Sequence, residues 1–134
     1  MCDFCGCPSI EPFATLTEDH STMEVLAELF DRNGEPIDLE AVRVTWDDHR
    51  AAEAVLEELA RRIDLIDVLG IGREQDAGVD SLLSEAAPDA GALLAAIRDH
   101  VDTWEFDVFP QLVLSADLEE LQETARLAEA TRGS

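Results

Sequence analysis

Apolar residues return every three or four positions along most of this chain, and runs of β-branched residues are scarce. That spacing is the mark of helices that bury one face. It predicts a first helix opening near Thr15 or Thr17, with Leu16, His20, Met23, Ala27 and Phe30 on its inward stripe and Asn33-Gly34-Glu35-Pro36 as its stop. A second helix is predicted from about Asp38, with Val42, Trp46, His49, Glu53, Leu56, Ala60 and Ile63 on one stripe. Gly70-Ile71-Gly72 reads as a breaker, followed by a third helix that aligns Gln75, Val79, Leu82 and Ala86. Pro88-Asp89 leads into a fourth helix from about Ala90 to Phe109, and a more polar fifth runs from Ser115 to Arg132.

Short connections between helices of this length imply antiparallel neighbours. The expected fold is therefore all-α, an antiparallel four-helix bundle over residues 14–114, with an N-terminal arm at 1–13 and a C-terminal helix and tail at 115–134. His20 and His49 lie almost symmetrically about the first turn, as Gln75 and His100 do about Pro88, so each pair should stand level in its hairpin. The two pairs meet only if the chain breaks or bends between Arg61 and Gly72.

Length and charge narrow the setting. The 134 residues suit one domain. No run of apolar residues is long enough to cross a bilayer, and the opening MCDFCGCPSIEP has no basic-then-apolar signal pattern, so a cytoplasmic protein is expected. The net charge of −22, with nine arginines and no lysine, repels nucleic acid and anionic membranes and gathers cations. Neither nucleic acid nor membrane is expected as a partner.

The polar interruptions of the stripes carry the chemistry. Burying a carboxylate and several imidazoles costs several kcal/mol, order of magnitude, unless they are paired or hold a cation. His49 and Glu53, four apart, share one helix face, and mixed imidazole and carboxylate ligation suits iron, manganese or zinc. His20 and Glu24 repeat the spacing, but Glu24 lies toward the flank and is the weaker candidate. His100 and Glu105 border the fourth stripe on either side of Trp104. A carboxylate able to bridge two ions favours a dinuclear site in a helical bundle. In the arm, Cys2, Cys5 and Cys7 form C-x-x-C-x-C, which suits a second metal or a redox thiol pair; incidental thiols on an arm are the bland alternative.

The fragments TEDHSTMEVL, DDHRAAEAVLEEL and DHVDTWEFDVFPQL, in that order, resemble the hemerythrin-like (HHE cation-binding) proteins, and MCDFCGC resembles the cysteine-bearing arm of actinobacterial members. The resemblance implies a non-haem di-iron centre that binds or reacts with dioxygen, peroxide or nitric oxide. It further implies His20, His49, Glu53, His100 and Glu105 as metal ligands. Two departures stand out: Gln75 is the best match where the third helix should supply histidine, with Asp76 and Asp80 off the stripe, and Trp104 stands where a glutamate is common. Three histidines and two glutamates are poorer in nitrogen than an oxygen-carrying site, which favours reaction over carriage, with two irons or one.

The expected function is thus a di-iron protein handling a small oxidant, an oxygen- or peroxide-dependent oxidoreductase if it is an enzyme, served by a redox partner. Two alternatives remain open: a metal-poor sensor or adaptor acting through its acidic surface or Cys arm, and an oxidase or oxygenase acting on an organic substrate.

Overall fold

A computed structural model describes residues 11–131, and these are all-α, with no strand among them. Helix α1 spans Phe13–Asn33 and ends where Gly34 takes a left-handed φ of 68° and returns its N–H to the Phe30 carbonyl at 2.8 Å. It begins earlier than its polar cap signals suggest, because Phe13 is fully buried in the core. Helix α2 spans Pro36–Arg62, with Pro36 in the first turn, where its missing N–H costs nothing. The chain then turns through Ile63, Asp64 and Leu65, with Asp64 at φ 64° and the Leu65 N–H on the Ala60 carbonyl at 2.8 Å. This break lies within the interval 61–72 where one was required.

Helix α3 spans Ile66–Leu83, so Gly70-Ile71-Gly72 lies inside a helix and does not break the chain. The stop comes from the left-handed Asp64, a residue whose short polar side chain tolerates that conformation. Helix α4 spans Ala90–Thr103, capped by Asp89, whose Oδ1 accepts from the Ala92 N–H at 2.8 Å. The α-helix thus ends before Phe109, while the helical path continues beyond it. A π-helical turn at Trp104–Val108 leads into α5, Phe109–Ser115. Pro110 is accommodated just after this widened turn, at the start of the new α-helical register, where no N–H is demanded of it. Helix α6, Leu118–Thr131, starts at a capping box in which Asp117 and Glu120 each accept the other's backbone N–H.

Helix α1 packs on α2 and α4, α3 packs on α4 and α2, and α6 lies along α2. The buried apolar residues fall into two clusters. One gathers Phe13 and Leu16 with Leu56, Leu59, Trp104, Val108 and Phe109. The other gathers Met23 and Ala27 with Val42, Trp46, Val79, Leu93 and Ile97. Near the boundary between the two clusters, α1, α2 and α4 each place buried polar residues: His20, His49 with Glu53, and His100, the last one turn before Trp104 of the first cluster. The periodicity that builds the core therefore also stacks its polar interruptions at one level.

Candidate metal centre

Three helices aim four side chains at one point. Helix α1 supplies His20, α2 supplies His49 and Glu53 one turn apart, and α4 supplies His100, all fully buried. The Nε2 of His49 stands 3.1 Å from that of His20 and 3.3 Å from that of His100. Glu53 Oε2 is 2.9 Å from His49 Nε2, 3.1 Å from His100 Nε2 and 4.0 Å from His20 Nε2. One donor atom from each residue lies within 4.8 Å of the other three.

The far nitrogen of every ring is held by a carboxylate. His20 Nδ1 donates to Glu105 at 2.8 Å, His49 Nδ1 to Asp19 at 3.1 Å, and His100 Nδ1 to Asp76 at 2.6 Å. An ionised carboxylate can only accept, so each Nδ1 carries a proton, and a ring that is neutral turns its Nε2 lone pair inward. Carboxylates behind metal-binding imidazoles fix tautomer and ring orientation in this way. Neither Nε2–Nε2 contact has a donor when the rings are neutral and in this tautomer. Extra protons on some of the rings would relieve them in part; one cation meets all four donors at once.

Donor spacing also bears on the number of ions. At metal–nitrogen distances of about 2.1 Å, neighbouring donors around one ion stand about 3.0 to 3.4 Å apart. The close contacts above, 2.9 to 3.3 Å, match that spacing. The four buried side chains can therefore hold a metal ion, and the donor set fits the group.

Glu105 reaches this layer through the π-helical turn. In a continuous α-helix it would point about 140° away from His100. The wider turn, closed by the Phe109 N–H on the Trp104 carbonyl, lets Trp104 and Glu105 both face inward. Such turns are frequent at functional sites.

Burial and charge oppose each other in the layer. Burial penalises protonated His100, but Glu53 and Asp76 override it and push its pKa up to about 9. Burial likewise works against His49, whose pKa is nevertheless raised by Glu53 and the Asp19 hydrogen bond. For Glu53 burial favours the neutral acid, yet His49 and His100 hold the carboxyl well below its usual range. Asp76 is pushed up, chiefly by burial, against the pull of its bond to His100. Arg50 closes the layer on the Glu53 side. Its Nη1 contacts Glu53 Oε1 and Glu57 Oε1 at 3.1 Å each and Asp76 Oδ2 at 2.8 Å, the last as an ion pair without hydrogen-bond alignment. Aromatic rings line the surroundings: Phe109 stacks on His20 with centroids 5.8 Å apart, and Trp46 meets His100 edge-on at 4.8 Å.

Of the residues expected as ligands, His20, His49, Glu53 and His100 come together as one cluster. Glu105 stands behind His20 and is not one of the four. Gln75 is half-buried, while Asp76, expected off the stripe, is buried and holds His100. Among the described side chains of α3 the buried positions are Leu69, Gly72, Asp76 and Val79, and the helix begins before the glycines, not after them. Asp80 accepts from Trp46 Nε1 at 2.6 Å. Glu24 is half-buried outside the cluster, its pKa raised chiefly by burial. Cys2, Cys5 and Cys7 lie outside the described residues. The roles of Asp19 and Arg50 were missed, although each is the immediate sequence neighbour of a cluster histidine.

Comparison with protein-family models, with curated proteins and with solved structures gives no match. Among the described residues no helix is long and apolar enough to cross a membrane.

Proposed function

We propose that this chain is a hemerythrin-like antiparallel bundle holding one non-haem iron ion at His20, His49, Glu53 and His100, where a small oxidant such as dioxygen, peroxide or nitric oxide reacts. The bundle reading is supported by the two apolar clusters, which α1 meets in one order, and α2, and α4 with its π-helical continuation, in the reverse order. A single observation carries the centre: three imidazole nitrogens and one carboxylate oxygen share one point, each imidazole backed by its own carboxylate. Their spacing favours one ion, since two ions would stand about 3.5 to 4 Å apart and draw the imidazoles away from each other.

An iron ion on nitrogen and carboxylate ligands supplies open coordination positions and an electron for a small oxidant. The chain's own residues prepare that event. Asp19, Asp76 and Glu105 keep the ring protons on Nδ1 and the lone pairs on Nε2. Trp46, Trp104 and Phe109 pack around the imidazoles and keep bulk water from the layer.

Anaerobic purification after iron-replete growth, followed by metal analysis, tests the reading. About one iron per chain is expected, lost in His49→Ala, together with a new paramagnetic resonance signal when nitric oxide meets the ferrous protein. Iron no higher in the parent than in His49→Ala sinks the centre. Two irons per chain with oxo-bridge absorption replaces the single ion by a pair. The second reading is a purely structural ion, favoured by the complete burial of all four ligand residues. It predicts a bound ion that leaves the nitric oxide spectrum unchanged.

A further inference from the structure

We propose that Arg50 fixes the centre at one ion, its guanidinium nitrogen occupying the place where a second metal ion would be bridged by Glu53. The inference rests on the reading of His20, His49, Glu53 and His100 as ligands. Glu53 divides its two oxygens: Oε2 faces the imidazoles, and Oε1 faces Arg50 Nη1 at 3.1 Å. Asp76 divides in the same way, Oδ1 on His100 at 2.6 Å and Oδ2 on Arg50 Nη1 at 2.8 Å. Glu57 adds an oxygen at 3.1 Å to the same nitrogen.

Three carboxylates, two of them also touching the imidazole layer, therefore converge on a single nitrogen of a fixed cation. A carboxylate that bridges two metal ions uses its oxygens in this divided manner, one on each ion. Here the second partner is a side chain of the protein. Glu53 and Asp76 are almost wholly buried, so without Arg50 their outer oxygens would face one another with no positive charge between them. Arg50 itself reaches the layer from the surface and keeps about a quarter of its side chain exposed, 27%. A guanidinium stays charged at any pH at which the chain is folded, so it holds its place as a fixed cation.

A structural ion pair and a surrogate for a second cation differ in what their removal produces. Loss of a structural pair lowers stability and creates no new site. Loss of a surrogate cation leaves a carboxylate-rich pocket beside the first ion. The test titrates metal-free full-length chain with manganese(II), reading stoichiometry by native mass spectrometry and ion–ion coupling by paramagnetic resonance. The parent and Arg50→Lys should take one ion. Arg50→Ala should take two, with the coupled spectrum of a close pair, and Arg50→Gln serves in its place if the alanine variant does not fold. One ion in the parent and still one in the folded neutral variants overturns the inference and leaves the centre standing. Two ions in the parent overturn it as well. A parent that takes no ion overturns the centre and this inference together.

Discussion

The buried layer that carries His20, His49, Glu53 and His100 and the apolar cluster beside it, around Leu56, Leu59 and Phe109, are equally inaccessible to water but are held by opposite physics. The apolar cluster gains from removal of surface from water, so its members act in parallel and one substitution leaves the rest intact. In the layer each group is tolerable only because of its neighbour: Glu53 because of the imidazoles and Arg50, and each imidazole because of its carboxylate. A defect there exposes the partner's unmet charge. The apolar half therefore supplies stability that is spread over many contacts, while the layer concentrates specificity in a few.

Two truncations one turn apart on α2 break the comparison most directly. Glu53→Ala should cost about 3–5 kcal/mol through the uncompensated charges it leaves, and it should abolish ion binding. Leu56→Ala, also fully buried, should cost about 2–5 kcal/mol while ion stoichiometry stays at the parent's value. Denaturant melts with metal analysis on both variants decide the matter. Retained binding in Glu53→Ala would refute the layer's dependence on that carboxylate.

The next effect is a dependence on pH that changes sign with the ion. In the metal-free chain the pKa of His100 rises to about 9, against about 6.5 when unfolded. A raised pKa contributes stability that is fully present below about pH 6.5 and lost as pH climbs through about 9, at most about 3 kcal/mol from His100 alone. The ion competes with that same proton, so its apparent affinity should increase over the same interval. Thermal melts with and without metal should thus diverge as the pH is raised. Parallel curves would show that the imidazoles do not bind the ion.

How far each region was legible in the sequence follows from the same contrast. The stripes of α1, α2 and α4 were readable because burial imposes a strict period, and His20, His49, Glu53 and His100 interrupt it visibly. The start of α3 was not readable. It depends on Asp64 adopting a left-handed φ of 64°, while Gly70 and Gly72, the apparent breakers, sit inside the helix. That shift of register is why Asp76, and not Gln75, faces the layer. The π-helical turn was equally hidden, since neither propensity nor hydrophobic period marks an inserted residue. It emerges only when Trp104 and Glu105, adjacent in sequence, are both found buried.

Glu105 lets the layer be weakened without removing a ligand. Glu105→Gln keeps the shape but replaces an anionic acceptor behind His20 by an amide, whose oxygen holds the Nδ1 proton less firmly. Loss of such a partner lowers metal affinity by about 10- to 100-fold. Stoichiometry should stay at the parent's value while affinity falls, which competition with a chelator measures. A stoichiometric loss instead would make Glu105 a ligand in its own right.

The smallest effect asks how rigid the boundary between the two regions is. Gly70 and Gly78 on α3 face open space, with nothing within 4 Å of where a methyl group would stand, so alanine at either position should stabilise by about 0.4–1 kcal/mol through the unfolded chain's lost freedom. Gly72 differs, because a Cβ there would stand 3.2 Å from Trp104 Nε1 and 3.3 Å from two of its ring carbons. Trp104 can yield only by pressing on its neighbours. It is fully buried, with His100 at 5.9 Å between centroids and Phe109 at 6.2 Å. Gly72→Ala should therefore forfeit the gain seen at Gly70 and Gly78 and end about 1 kcal/mol below the parent. Because the displaced indole leans on His100, the same variant should also bind its ion more weakly, whereas Gly70→Ala should not. Equal stabilisation by all three alanines would mean that Trp104 can move, and that the wall between the apolar cluster and the imidazole layer is soft.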